Sequence, residues 1–271
     1  MEINPMVYKS NALVEAAYRL SVQEQRIILA CISQARRDEE VTDEVLYSVT
    51  AADLAELSGT ALEAAYSQLK AASLRLKRRE VRLTQEPNGK GKKPSVMITG
   101  WVQTIIYREG EGRIELRFTK DMLPYLTGLK REFTRYALSD VAKMTSAHGI
   151  RMYELLAQWP EGHRVVEVDE LRRWLQLEDR YPLMADLRRW VIEPAIEQIN
   201  EHSPLLVSWS QRKTGRKVTH LVFDYKAKSV EKPTAKRKAG KYSEDDIRRL
   251  ARPGESWEAA RARLNQISME I

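Results

Sequence analysis

Val191-Ile-Glu-Pro-Ala-Ile-Glu-Gln-Ile-Asn200, followed by the basic stretch Gln211-Arg-Lys-Thr-Gly-Arg-Lys217, decides the fold. The first stretch reads as a helix that ends near an Asn. The second is the tip of a hairpin whose strands are Leu205–Ser210 and Val218–Tyr225. Helix, strand, cationic turn and strand is the plan of a winged helix, a module that sets a helix in a DNA groove and a basic loop on nearby phosphates. Pro182 fits the first position of the helix, where a missing N–H costs nothing. Pro194 falls in its interior, where proline removes a hydrogen bond and clashes one turn back. A kink or break at Glu193 is therefore expected, dividing a binding segment (182–192) from a packing segment (194–200).

Upstream of that helix the sequence supplies the rest of the unit. Ser146 to Trp159 reads as a helix, with Met152, Leu155, Leu156 and Trp159 at helical spacing. Arg164–Val168 is a short strand, and Asp169 is expected to cap a helix carrying Leu171, Trp174 and Leu175. Glu178-Asp-Arg-Tyr181 is the turn.

A similar plan occurs earlier. Ser21-Val-Gln-Glu24 is a capping box opening a helix, with Ile28, Cys31, Ile32 and Ala35 on its buried stripe. Leu46–Val49 reads as a strand. Thr50 caps a short helix through Asp53, Ser58-Gly59 turns, and Thr60-Ala-Leu-Glu63 offers a second capping box to a helix with Leu62, Tyr66, Leu69 and Ser73 inside. By spacing alone this is either a helix-turn-helix or an ordinary helical hairpin. Strand Val81–Thr84, the tip Pro87-Asn-Gly-Lys-Gly-Lys-Lys-Pro94, a long strand Val96–Tyr107 and the alternating strand Arg113–Phe118 complete the unit.

Charge follows this plan. Residues 1–60 hold 5 Lys/Arg against 10 Asp/Glu, and residues 61–138 hold 16 against 8. Residues 139–225 are near balance at 12 against 13, and residues 226–271 carry 12 against 7. The total of +7 is weak evidence of a nucleic-acid partner, but its clustering on the helix and hairpin ends strengthens that reading. No apolar run reaches the length of a membrane span, and Met1–Tyr8 lacks the plan of a secretion signal. Cys31 is the single cysteine, so an intrachain disulfide and a Cys-based zinc site are excluded; it is expected to be a small core hydrophobe. A cytoplasmic location follows as an expectation. Lys226–Lys241 reads as a flexible linker, with Ser243 and Ser256 capping short helices of a tail.

No catalytic constellation is legible. Gly89-Lys-Gly-Lys-Lys-Pro94 lacks the Gly-Lys-Ser/Thr ending of a phosphate-binding loop and does not join a strand to a helix. His148, His163, His202 and His220 are isolated, with no pair at metal-binding spacing. His148 and His202 are expected at helix ends as surface groups. The chain is expected to be no enzyme and to need no cofactor or metal.

Two further stretches carry a family resemblance. Asn11-Ala-Leu-Val-Glu-Ala-Ala-Tyr-Arg-Leu-Ser-Val-Gln-Glu-Gln-Arg-Ile-Ile-Leu29 resembles the opening motif of the replication initiator (Rep) proteins of iteron-containing, theta-replicating plasmids. Ser146 with Arg151-Met-Tyr-Glu-Leu-Leu156 is similar to the opening of that family's second winged helix, departing from it at His148-Gly149. Val191–Asn200, Gly215-Arg-Lys-Val218 and Phe223 resemble its closing block. The resemblance implies an α+β fold of two tandem winged-helix domains: 10–131, for DNA contact and dimerisation, and 132–226, for the main DNA recognition, followed by a basic linker and helical tail (227–271). It also implies binding to direct repeats at a plasmid origin, repression of the protein's own gene as a homodimer, and a host initiator and replicative helicase as further partners.

On that plan Arg188 and Arg189 are the candidates for base edges. Arg180, Arg212, Lys213, Arg216 and Lys217 are the candidates for phosphates. In the first domain Gln68, Lys70, Arg75, Lys77 and Arg78 are second-choice contacts, with Lys90, Lys92 and Lys93 on the wing. Each could equally be a solvated surface charge; their clustering favours the DNA reading. A winged-helix repressor without initiation activity shares every one of these features, and an origin-nicking endonuclease would need a metal site the sequence does not offer.

Overall fold

The computed structural model describes residues 5–228, 249–252 and 255–267. They belong to two compact units that divide after Lys228. The first unit holds both winged helices.

The N-terminal winged helix is entered through β1 (Met6–Ser10), the short helix α1 (Asn11–Val14) and β2 (Ala17–Tyr18). Helix α2 (Val22–Ile32) starts at the expected capping box, Ser21 accepting from the Glu24 N–H at 3.3 Å and Glu24 accepting from the Ser21 N–H at 2.7 Å. Buried on every side from Glu24 to Ile32, it is the centre of the core, and Cys31 is wholly enclosed there. Burial pushes the Cys31 thiol far up, as a structural cysteine requires. Strand β3 (Tyr47–Thr50) leads into α3 (Ala51–Ser58), capped by Thr50 and Asp53 as expected. Gly59 closes it in the left-handed conformation (φ 70°).

Helix α4 (Leu62–Leu76) departs from expectation at its start. Thr60 Oγ1 pairs with Ser58 Oγ at 2.8 Å, so the Thr60–Glu63 box is not made and Ala61 occupies the cap without a side-chain bond. Leu62 consequently lies outside, 54% exposed, while Ala65, Leu69, Ala72, Ser73 and Leu76 form the inner face.

The strand expected over Val96–Tyr107 is two strands in two sheets. β5 (Lys92–Gly100) pairs with β4 (Glu80–Gln85), and β6 (Val102–Arg108) pairs with β7 (Arg113–Phe118). The corner falls at Trp101, which is completely buried and stands edge-on to Tyr18 at 4.8 Å. A large indole with one place to go fixes the corner, and the chain bends around it. The sheet orders are β2-β4-β5 and β3-β7-β6.

Strand β8 (Phe133–Ala137) pairs with β1, and α5 (Ser139–Ala142) and α6 (Ala147–Ala157) follow. A buried polar cluster ties α6 to the chain's first residues. Glu154 takes Lys9 at 2.5 Å, Tyr136 at 2.5 Å, Arg151 at 3.0 Å and Tyr18 at 3.2 Å. Arg151 also donates to the carbonyls of Val14 and Ala16, both at 3.0 Å. Burial works to raise the Glu154 carboxyl, but Lys9 and Arg151 outweigh it and hold it below the ordinary carboxylate range.

The C-terminal winged helix comprises β9 (His163–Glu167), α7 (Val168–Trp174), a long composite helix, and the wing strands β10 (Leu205–Thr214) and β11 (Lys217–Ala227), and α6 packs against the composite helix. Its sheet order is β10-β11-β9. Glu167 rather than Asp169 precedes α7, and Asp169 lies in the first turn, where a carboxylate favours the helix dipole. Lys226 and Ala227, expected in the linker, complete β11. In the second unit, α10 (Trp257–Ile267) begins after Ser256, whose Oγ accepts from the Ala259 N–H at 3.4 Å. The remainder of the expected linker and the cap expected at Ser243 lie outside the described residues.

Candidate nucleic-acid interface

The composite helix begins with α8 (Met184–Leu187), with Leu183 as its cap, so Pro182 lies before the helix instead of in its first position. It passes through a π turn (Arg188–Ile192) into α9 (Glu193–His202). No break occurs at Glu193; its N–H reaches back five residues to the Arg188 carbonyl. The wider turn meets two demands together. It accommodates Pro194, which has no N–H to place. Its extra residue also re-phases the helix, so that Ala195, Ile196 and Ile199 fall beneath Leu187, Val191 and Ile192 on one buried face.

The opposite face of the π turn presents Arg188, Arg189 and Trp190 to solvent. Trp190 is 55% exposed, and the Arg189 guanidinium lies over its ring at 4.9 Å. That contact holds the planar fork in one attitude. Arg188 is 3.4 Å from Glu193, an exposed pair of little strength. Arg180 is exposed in the turn before the helix, whose shape is fixed from behind by Arg172. Arg172 donates to the carbonyls of Arg180 at 2.8 Å and Tyr181 at 2.6 Å. Sequence reading missed Arg172, because no spacing announces a side chain that binds backbone carbonyls eight and nine residues on.

The wing is attached to this helix by Asn200. Its amide donates to the Val207 carbonyl at 2.9 Å and accepts from the Val207 N–H at 2.6 Å. At the tip, Gly215 turns with φ 61°, and Arg212, Lys213, Arg216 and Lys217 are all exposed. Lys217 stands 3.8 Å from Asp169, too loose and too solvated to neutralise it. The structure thus groups six of the seven expected cations of this domain on two neighbouring elements, helix and wing, with Arg180 in the preceding turn.

The first domain is less uniform. Arg75, Lys77 and Arg78 are exposed around the end of α4, Arg75 lying 3.4 Å from the buried carboxylate of Glu24. Gln68 is half-buried, and Lys70 is ion-paired to Glu109 across to the β6–β7 turn. The expected wing tip is pinned rather than free. Asn88, at φ 60°, accepts from the Lys130 N–H at 2.9 Å and donates to the Gly128 carbonyl at 3.1 Å, while Arg131 Nε donates to its carbonyl at 2.8 Å. Lys90 and Lys92 are exposed there, but Lys93 is half-buried and bound to Glu86 at 2.7 Å.

His148 differs most from expectation. It is half-buried instead of lying on the surface, and burial, then Arg19, Arg180 and Arg151, pull its imidazole down to about 4. His202 ends α9, as expected, but is also half-buried. Among the described residues no cluster of three or more His, Cys, Asp or Glu could hold a metal. No helix there is long and apolar enough to cross a membrane.

Two winged helices in one unit, each with a helix and hairpin bearing exposed cations, define a tandem winged-helix protein. Residues 6–157 match the family model described as Initiator Replication protein, WH1, and residues 167–225 match the one described as Initiator Rep protein, WH2. The chain belongs to the plasmid replication initiator (Rep) family.

A replication initiation protein of Escherichia coli is 28% identical over 226 residues, covering 80% of this chain and 68% of that protein. An E. coli protein known as "Uncharacterized 27.6 kDa protein" is 28% identical over 221 residues, covering 78% of this chain and 91% of its own length. Among solved structures, the Pi initiator protein in complex with iteron DNA has a similar fold. The TM-score is 0.71 at 20% identity, covering 84% of this chain and all of that one.

Proposed function

We propose that this protein binds direct repeats at a plasmid origin and starts replication by positioning itself there, without catalysis of its own. The observation that carries the reading is that one helix–wing unit exposes Arg188, Arg189 and Trp190 on its composite helix and four cations at its wing tip, in a chain of the initiator family. Arg188 and Arg189 meet base edges in the major groove; Arg180, Arg212, Lys213, Arg216 and Lys217 hold phosphates. In the first domain Arg75, Lys77, Arg78, Lys90 and Lys92 extend the contact. Gln68, Lys70 and Lys93, already half-buried or paired within the protein, contribute less. The iteron DNA in the related Pi initiator structure supports a double-stranded DNA partner of this kind.

As a homodimer the protein represses its own promoter. The free edge strand β5, with Val96 and Ile98 more than half exposed, supplies a surface for pairing. The host initiator and the replicative helicase are its further partners in the cytoplasm of the plasmid-bearing cell. A transformation assay tests initiation: a plasmid carrying the cognate origin should establish only when this protein is supplied. Loss of transformants with promoter repression intact would leave a winged-helix repressor instead.

A further inference from the structure

Between the two winged helices lies a cavity of about 380 Å³ whose walls include Tyr18, Arg19, Ser21, Arg79, His148 and Arg151. None of its lining residues is a carboxylate. It adjoins a second cavity of about 580 Å³, with Arg19 and Arg79 lining both, where Arg78 and Arg82 add charge and Glu80, Glu178 and Asp179 offset part of it. The acids behind the first cavity are already engaged: Glu24 takes Arg79 at 3.0 Å and Glu154 takes Arg151 at 3.0 Å. Arg19 is exposed and has no ion-pair partner among the described residues. Arg151 is 98% buried, yet its Nε has no acceptor. Two helix starts also reach the wall, α2 at its cap Ser21 and α6 at Ala147, and helix N-termini favour anions.

We infer that this interdomain cavity is a phosphate-binding site, with Arg19 as the free cation that clamps the anion and Arg79, the Tyr18 and Ser21 hydroxyls and the two helix starts as its walls. Three guanidinium groups around one concave space leave a positive potential that two buried carboxylates offset only in part. Burial first, and then the charges of Arg19, Arg180 and Arg151, hold the His148 imidazole on this wall below its ordinary range. The phosphate comes either from the DNA backbone or from a free phosphate. The first is sterically natural, since the cavities open beside the end of α4 and the 178–181 turn that precedes the composite helix. The site itself does not depend on the DNA-binding reading.

His148 supplies the readout. The full chain would be followed by imidazole proton resonances over a pH series in phosphate-free buffer, with His148→Gln assigning the signal. Inorganic phosphate and duplex DNA would be added separately. A bound phosphate should raise the His148 pKa by about one unit, since its charge opposes that of the arginines. Arg19→Ala, at an exposed position, should abolish the rise and Arg19→Lys should restore most of it. A response to both probes, or to DNA alone or phosphate alone, supports the site and identifies its source. No response to either probe, or an equal response in Arg19→Ala, would overturn it. Duplex that binds by fluorescence anisotropy while His148 stays unmoved in both titrations would refute the cavity and leave DNA binding intact.

Discussion

Arg189 and Lys213 differ in the kind of contact their geometry permits. Arg189 projects from a helix with its guanidinium steadied on Trp190, while Lys213 is a flexible ammonium near a hairpin tip. A steadied fork suits bidentate recognition of one guanine, worth roughly 1–3 kcal/mol of discrimination, whereas a lysine on phosphate is indifferent to sequence. Arg189→Ala should therefore narrow the gap between cognate and random duplex, and Lys213→Ala should weaken both alike while flattening the salt dependence. Anisotropy titrations on the two duplexes read this directly; equal losses on both duplexes for both variants would remove the assignment. Single residues also mark where sequence reading stops. The exposed place of Arg188 and Arg189 was legible because they fall off the apolar stripe of a helix that leads into a basic hairpin. Arg19 was not, since nothing in its neighbours tells that the fold will bring Arg79, His148 and Arg151 to it from far along the chain. His148 read as a surface group because its burial depends on those same long-range partners.

Elements were recovered best where a local rule had no competitor. Ser21–Glu24 and Thr50–Asp53 formed the boxes their spacing predicts. Thr60–Glu63 did not, because Ser58 captured the threonine hydroxyl first. Pro194 announced a disturbance in its helix, but the remedy, a π turn instead of a break, depends on aligning Leu187 and Val191 with Ile196 and Ile199 against the core. The strand Val96–Tyr107 divides at Trp101 because that indole is buried by both sheets' neighbours, a tertiary decision invisible in the alternation of the strand. Asn200 links helix to wing through two bonds with Val207. Asn200→Ala should cost about 1–3 kcal/mol by leaving the Val207 backbone groups poorly satisfied, and should loosen the wing relative to the helix. Urea unfolding checks the first effect, and faster amide exchange at Val207 checks the second. An unchanged exchange rate would mean that the hairpin holds its place without the side chain.

At the scale of the whole molecule, the cluster around Glu154 joins β1, β2, β8 and α6 through buried charge. Removing one partner strands buried charge, which typically costs about 3–5 kcal/mol. Glu154→Ala should lower stability on that scale and weaken DNA binding without altering sequence preference, because no contact residue is touched. A calorimetric melting point within error of the parent protein would show that the cluster is not a keystone. The charge pattern of the sequence, acidic at its start and basic along residues 61–138, located the exposed cationic surfaces only coarsely. The tandem arrangement itself was legible from two helix–hairpin plans in order, and the family models agree with it.

Whether the tandem winged helices engage repeated DNA sites is decided by a footprint of the purified protein on the DNA flanking its own gene, taken over a salt series. Regular protections about two helical turns apart are expected, fading steeply with salt as several phosphate contacts per protein require. A single palindromic protection over the promoter would contradict repeated-site binding and make the protein a repressor.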